Sequence, residues 1–300
     1  MKKTFLTLLL ASVAAVCFAQ GRYALVHVSA ANLRAEPDYE SPLETQALMG
    51  SALEVLDSSG YWLKVHALEP EYTAWVNRLQ VTRVASTEYT PDLVCTAKYS
   101  MIYSEPSAKG PVIGDLVRGD KMEQALTLSG KVLRMKGFRG VVLPSGQPGW
   151  VPCRDVKSIS SAIPAEPSAS AVVAEALSYL GTPYLWGGTT VKGFDCSGLV
   201  RQCYLMQGIL LPRNASQQLH IGEELPVEGV LEGKWDHLRP GDLIFFGNRE
   251  TGRVSHVAIY TGDGHIVHSS MVVRHNSLLE GAPDYYENSW RLLYARRIIF

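Results

Sequence analysis

The sequence predicts two small all-β barrels followed by an α+β domain. Short strand-like runs, broken by Gly, Pro, Asn and Asp, fill the first half of the 300 residues. These runs form an imperfect repeat, which indicates two related units. The second half begins with helical patterns and ends with alternating apolar and polar runs, the order typical of an α+β domain.

The first nineteen residues have the features of a secretory signal peptide. Lys2 and Lys3 precede an apolar run from Phe5 to Val16, and small residues precede a cleavage point after Ala19. The run is too short to span a bilayer. We therefore expect an exported chain, periplasmic or extracellular, with no membrane partner after signal cleavage, and with an uncleaved anchor as the alternative.

Composition excludes several classes of function. The formal net charge of −1 offers no basic footprint for nucleic acid. Four cysteines follow the signal segment, but no Cys-x-x-Cys pair or zinc-finger histidine spacing accompanies them, so a structural metal is not expected. An exported chain meets an oxidising compartment, where an unpaired thiol needs a specific reason.

The internal repeat divides the first half into barrels at 20–85 and 86–158. Residues 31–50 parallel residues 99–119, and Trp75 of the first unit matches Trp150 of the second. Many short strands in so few residues favour small barrels.

Two cysteines lie in the second barrel, Cys95 in its first strand-like run and Cys153 in its last. Neighbouring terminal strands could bring the two sulfurs within disulfide range, and two separate buried thiols are the alternative.

A linker rich in Ser, Ala and Pro at 159–170 leads to the last domain, 171–300. An amphipathic helix ends at Gly181, and a second helix begins after Asp195, which can cap it. Apolar residues and Cys196 share one face of this second helix. Four strand-like runs follow, from LRPGDLIFFG to RLLYARRIIF.

Cys196 is the candidate nucleophile because a helix N-terminus stabilises a thiolate, whereas Cys203 is expected to pack in the core. A hairpin pivoting on Gly262 would place His256 directly opposite His268, as a base and its orienting partner. The alternatives are two half-exposed polar side chains or a zinc site.

Four motifs resemble the NlpC/p-sixty family of cell-wall cysteine peptidases. They are GFDCSGLV, LRPGDLIFF, SHVAIY and the pair His268-Ser269. The resemblance implies a papain-like catalytic domain with a catalytic set of Cys196, His256 and His268. The barrels are similar to bacterial SH3-like domains. No metal or organic cofactor is implied.

The order of domains resembles a subgroup that cleaves the γ-D-glutamyl–diamino acid bond of murein peptides with a free N-terminal L-Ala. The third residue of such peptides is diaminopimelate or lysine. The resemblance implies that Tyr184 supports the oxyanion. It also implies substrate contacts from Asp195 (to the ligand ammonium), Ser197, Asn214, Ser216 and Tyr72.

The sequence departs from that subgroup at two places. Asn214 and Ala215 stand where relatives often have Asp and Ser, and Pro42 stands where relatives have a glutamate. Glu44 is displaced by two positions from that glutamate. Three alternatives stay open: an endopeptidase on intact wall with wall-binding barrels, a catalytically idle wall-binding protein, and an acyltransferase.

Overall fold

A computed structural model describes residues 21–86 and 89–300. The predicted signal peptide lies outside these residues. Within them, no helix is long and apolar enough to cross a membrane.

The first barrel is a seven-stranded antiparallel sheet that curls around an apolar core. Its strands run in the order β3-β2-β6-β5-β4-β1-β7, and the side chains of Leu33, Leu53 and Val76 are fully buried inside. A 3₁₀ turn, Arg78–Gln80, precedes the last strand. The strands are β1 (Tyr23–Val26), β2 (Ala30–Arg34), β3 (Leu43–Leu48), β4 (Ala52–Ser59), β5 (Trp62–Leu68), β6 (Glu71–Asn77) and β7 (Val81–Val84).

The second barrel repeats this topology. Its order is β10-β9-β14-β13-β11-β8-β15, which matches the first barrel strand for strand once the short extra strand β12 is set aside. The repeat seen in the sequence is therefore a repeat of topology. The strands are β8 (Leu93–Cys95), β9 (Tyr99–Tyr103), β10 (Val112–Val117), β11 (Lys121–Gln124), β12 (Arg134–Met135), β13 (Phe138–Val142), β14 (Pro148–Pro152) and β15 (Val156–Ser158).

The two cysteines of the second barrel are separate free thiols. Cys95 pairs across the sheet with Val156. Cys153 lies in the 3₁₀ turn before that strand, not in the strand as the sequence predicted. The predicted disulfide is therefore absent, and of the two thiols Cys95 is buried as the alternative expected, whereas Cys153 is only half-buried.

A buried carboxylate joins the two barrels. Asp120 is fully buried and accepts hydrogen bonds from the backbone N–H of Val117 at 2.7 Å and of Met49, in the first barrel, at 3.0 Å. Burial raises the pKa of Asp120 well above its usual value. The contact fixes the first barrel against the second.

The last domain packs two main helices on a six-stranded antiparallel sheet of order β18-β23-β19-β20-β21-β22. Its helices are α1 (Ile159–Ala162), α2 (Ala169–Ser178), α3 (Cys196–Leu205) and α4 (Ala215–Gln218). Its strands are β16 (Thr189–Thr190), β17 (Gly193–Phe194), β18 (Glu223–Leu225), β19 (Leu243–Gly247), β20 (Val254–Gly262), β21 (His265–Ser270), β22 (Val272–Ser277) and β23 (Leu292–Arg297). The segment expected to be a plain linker thus contains one turn of helix, α1, and α2 begins within it.

The apolar face of α3 packs on the sheet. Leu199, Val200 and Cys203 are buried in one cluster with Val257 and Ile259 of β20. This confirms Cys203 as a core thiol. Because α3 is anchored along its length, its first residue has a fixed position above the sheet.

The first barrel also contacts the last domain beside the start of α3. Gln46 accepts a hydrogen bond from the N–H of Thr189 at 3.0 Å, and Lys192 donates to Ser29 Oγ of the first barrel at 2.6 Å. Lys192 also forms an ion pair with Asp115 of the second barrel at 2.5 Å. One edge of the first barrel therefore forms a wall next to Cys196.

Candidate active site

Asp195 caps the helix that carries the candidate nucleophile. Its Oδ1 accepts a hydrogen bond from the N–H of Gly198 at 2.7 Å, which satisfies one free donor of the first turn. Cys196 is the first residue of the helix. The capping predicted from the sequence is therefore confirmed, and it fixes the position of the thiol.

The sequence predicts that the helix start stabilises a thiolate at Cys196, but the surroundings of the thiol in the structure act in the opposite direction. Burial, and next the Asp195 carboxylate, raise the pKa of the Cys196 thiol to about 11. Backbone N–H groups of Val257 and Ser197 act in the opposite direction but are outweighed. Desolvation therefore outweighs the hydrogen-bond donors near the start of the helix, and this environment favours the neutral thiol.

The two predicted histidines are in direct contact. Nε2 of His256 lies 2.8 Å from Nδ1 of His268, and Nε2 of His268 lies 3.1 Å from Oδ1 of Asn276. Val257, the residue after His256, contacts the Cys196 sulfur through its N–H. The pair on the hairpin therefore lies beside Cys196, the candidate nucleophile.

Asn276, which was not predicted from the sequence, sets the tautomers of the two histidines. Its Nδ2 donates to the carbonyl oxygen of Asp284 at 2.7 Å, so its Oδ1 must face His268 and accept. His268 then carries its proton on Nε2, and its Nδ1 accepts from Nε2–H of His256. The remaining ring nitrogen of His256, Nδ1, is therefore left unprotonated and can act as the base.

The register of the hairpin is not the one that the sequence predicted. Ile259 pairs with Val267, and a bulge follows between Tyr260 and Gly262. Extended along the strands, this register places residue 258, rather than His256, opposite His268. The histidines are diagonal neighbours on one face, still within reach of long side chains.

Both imidazoles are neutral. Burial lowers the pKa of His256 well below its usual value, and His268, Arg274 and Arg291 lower it further. Burial likewise lowers the pKa of His268 to about 4. His268 is fully buried and packs edge-on against Tyr286, with ring centres 4.5 Å apart.

Arg213, which was also not predicted from the sequence, forms an ion pair with Asp195, the acidic residue directly before Cys196. Its guanidinium donates to both carboxylate oxygens of Asp195, at 3.0 and 2.5 Å, and to Ser197 Oγ at 3.0 Å. Its Nε donates to Oγ1 of Thr45 in the first barrel at 2.8 Å. The only sequence signal was its place in the loop PRNAS.

The contacts of Asp195 differ from the predicted contact with a ligand ammonium. The N–H of Gly187 and the hydroxyl of Ser197 also donate to the carboxylate, at 3.0 and 3.2 Å. Asp195 is buried and paired with Arg213. Its charge is therefore already matched within the protein.

A cavity of about 420 Å³ opens above Cys196. It is lined by every candidate site residue from the sequence except the buried His268: Tyr72, Tyr184, Asp195, Cys196, Ser197, Asn214, Ser216 and His256. Glu44 and Trp186 also line it. Burial raises the pKa of Tyr184 to about 12, so its hydroxyl stays a hydrogen-bond donor.

Glu44 and Tyr72 of the first barrel close one end of this cavity. The Tyr72 hydroxyl donates to Glu44 Oε2, and burial with the Glu44 charge raises the pKa of Tyr72 to about 12. The glutamate displaced in sequence is thus in the cavity, whereas Pro42 is exposed at the start of the same edge.

Comparison with known proteins agrees with this arrangement. Residues 181–291 match the NlpC/P60 family, and residues 33–80 match the bacterial dipeptidyl-peptidase SH3 domain. A crystal structure of an NlpC/P60 family protein from Bacillus cereus superposes with a TM-score of 0.75 at 27% identity, covering 93% of this chain and 100% of the other.

Two curated relatives match most of the chain. Gamma-D-glutamyl-L-lysine dipeptidyl-peptidase of Bacillus cereus is 32% identical over 259 residues, 82% of this chain and 73% of the relative. Dipeptidyl-peptidase 6 of Lysinibacillus sphaericus is 28% identical over 88% of this chain and 95% of the relative. With this extent of identity, the chain belongs to the NlpC/P60 family of peptidases.

Proposed function

We propose that the protein is an exported cysteine peptidase that hydrolyses the γ-D-glutamyl–diamino acid amide of murein peptides with a free N-terminal L-Ala. The observation that carries this proposal is the Glu44–Tyr72 pair, which closes one end of the cavity that holds Cys196. The relatives named for cleavage after γ-D-glutamate support the substrate class.

In this proposal the N-terminal ammonium of the substrate binds Glu44, because Glu44 carries the unpaired negative charge among the described cavity residues. Of the described residues that line the cavity, Glu44 and Asp195 are the acidic ones, and Asp195 is neutralised by Arg213. A substrate ammonium at Glu44 would form a charge-assisted hydrogen bond. An acylated alanine has no ammonium and adds bulk against Tyr72, so it is excluded.

The reaction proceeds through an acyl-enzyme. His256 Nδ1 takes the Cys196 proton as the sulfur attacks the γ-carbonyl carbon. The first N–H groups of α3 and the Tyr184 hydroxyl stabilise the oxyanion. The protonated His256 gives its proton to the leaving amine, the C–N bond breaks, and a thioester forms. His256 then takes a proton from water as the water oxygen attacks the thioester carbon. The C–S bond breaks, His256 returns the proton to the sulfur, and the γ-carboxyl product and the free thiol remain.

His268 and Asn276 act through His256. The Asn276 amide keeps the proton on Nε2 of His268, and this arrangement leaves Nδ1 of His256 free to accept the thiol proton. Phe246 and Tyr286 pack against the His256 ring, with centres 5.8 and 6.0 Å away, which limits its rotation.

The second candidate is an endopeptidase on intact wall, with the barrels as wall-binding modules. The separating experiment offers the purified protein L-Ala-γ-D-Glu-diaminopimelate, its N-acetyl form and the lysine counterpart, with products identified by mass spectrometry. We expect cleavage of the free-amine peptides, none of the acetylated one, and none by Cys196→Ala. Equal cleavage of the acetylated peptide would favour the second candidate, and equal cleavage by Cys196→Ala would end both.

Export rests on the N-terminal sequence. Mass spectrometry of the secreted protein should find a chain that begins at Gln20, and an intact Met1 in the exported fraction would contradict the signal peptide.

A further inference from the structure

The second barrel carries an exposed insertion that takes no part in the site described above. It spans residues 125–139, termed the basic hairpin here. Leu126 bridges Val132, and Arg134 of β12 pairs with Arg139 of β13. Because side chains alternate along a strand and paired residues share a face, these four side chains lie on one face of the hairpin.

The charge of this face is unbalanced. Residues 125–139 contain four basic residues, Lys131, Arg134, Lys136 and Arg139, and no acidic one. Arg134 and Arg139 are directly opposite each other, and like charges in that position are destabilising. Among residues 21–86 and 89–300, no carboxylate forms an ion pair with Lys131, Arg134, Lys136 or Arg139.

Arg139 also lacks a hydrogen-bond acceptor for one of its nitrogens among the described residues. Its Nε is buried and has no hydrogen-bond partner within the described part of the chain. Burial and the Arg134 charge lower the pKa of Arg139. A buried donor without an acceptor is costly, and the like charges of Arg134 and Arg139 repel each other, so an anionic group at the exposed part of this face would relieve the repulsion.

Apolar side chains accompany these charges and are exposed. Leu128, at the tip of the hairpin, is fully exposed, and Leu126 and Met135 expose 56% and 49% of their surface. Gly130 and Lys136 have positive φ angles, 76° and 52°, at the turns that expose these side chains. Basic and apolar groups on one protruding element are the combination that membrane-surface segments present.

We propose that the basic hairpin docks the protein on an anionic phospholipid surface. Arg134 and Lys131 would meet lipid phosphates, while Leu128 would enter the boundary between headgroups and acyl chains. A soluble polyanion would satisfy the cations but would leave the leucine in water, so the exposed apolar tip favours lipid. Since the hairpin does not line the catalytic cavity, this inference is independent of the proposed function.

The test measures partitioning of the mature protein, which begins at Gln20, onto vesicles by co-sedimentation. Vesicles of phosphatidylglycerol and phosphatidylcholine are compared with phosphatidylcholine alone, and poly-glutamate serves as the soluble polyanion. The basic variant is Lys131→Ser with Arg134→Ser, and its matched control is Lys109→Ser with Lys234→Ser. The apolar variant is Leu128→Ser, matched by Leu79→Ser on the first barrel, where Leu79 is 67% exposed. Every variant keeps the same N-terminus, so that differences in vesicle binding come from the substituted residues.

We expect binding that requires phosphatidylglycerol and weakens as salt rises. The basic variant should lose about 25-fold in the partition coefficient, about fivefold for each cation near the surface, whereas its control changes less than about threefold. Leu128→Ser should weaken binding severalfold and Leu79→Ser should not. Peptide cleavage should be unchanged in all four. Equal binding to both vesicle types, equal losses in variants and controls, or capture of poly-glutamate without vesicle binding would each overturn the proposal.

Discussion

Substitution of Arg213 by alanine tests whether the ion pair behind the nucleophile organises the site. Arg213 and Asp195 are both buried, with 2% and 7% of their surfaces exposed. The substitution leaves the Asp195 carboxylate with three donors, from Gly187, Ser197 and Gly198. Removing one partner of a buried pair costs about 3–5 kcal/mol, and the three remaining hydrogen bonds place the expected loss near about 3 kcal/mol.

Thermal unfolding measures that loss. For a domain of this size, about 3 kcal/mol corresponds to a decrease in Tm of roughly 6–12 °C. Arg154→Ala is the matched control, because the Arg154 side chain is exposed and its pair with Asp155, at 3.5 Å, lies at the surface, where such pairs contribute about 1 kcal/mol or less. Asp195→Asn added to Arg213→Ala should recover part of the loss, since the uncompensated charge is then gone.

Activity should fall along with stability. Arg213 joins the start of α3 to Thr45, next to Glu44, so its loss releases both the nucleophile and the amine end of the cavity. A displacement of about 1 Å costs on the order of 100-fold in rate. Arg213→Lys keeps the charge but not the paired geometry and should recover only part of kcat. A Tm within about 3 °C of wild type, together with kcat within about threefold, would refute this reasoning.

Four further predictions concern the histidines and the amine end. Because burial keeps the pKa of His256 well below 6.5 and its neutral form is the base, the acid limb of kcat/KM should lie well below pH 6.5; half-maximal activity at pH 6.5 would contradict this. His268 has a folded pKa of about 4, below its unfolded value, so stability should fall by up to roughly 3 kcal/mol as pH drops from 6.5 to 4. Urea unfolding should show that dependence in wild type and less of it in His268→Gln. Asn276→Leu should reduce kcat at least about 100-fold with little change in KM, because it removes the acceptor that sets the tautomers; a change confined to KM would argue against that role. Glu44→Gln should lower kcat/KM for the free-amine peptide about 10–150-fold, the value of a charged hydrogen bond, and an unchanged kcat/KM would remove Glu44 from amine recognition.

Local sequence patterns were sufficient to predict helix α3, which begins at Cys196. The cap at Asp195, the apolar face of α3 and the core position of Cys203 follow from the spacing of neighbouring residues, and the structure confirms all three. The pairing of His256 with His268 was predicted correctly, although the register was not. A bulge beside Gly262 shifted the strands, and alternation preserved the shared face.

The sequence by itself determined the repeated barrels and the family motifs, because both are patterns of residues that are close in the chain. The assignment of Cys196, His256 and His268 as the catalytic set is a prediction that rests on the resemblance of these motifs to the family. The tertiary structure decided which charged groups are paired within the protein and which are available to a substrate. Arg213 reaches Asp195 from another segment, Asn276 fixes the histidine tautomers from a third strand, and Glu44 enters the cavity from a different domain. Burial also makes the thiol neutral despite its place at a helix start. Such properties depend on desolvation and on contacts between distant segments, and these exist only once the domains have packed together.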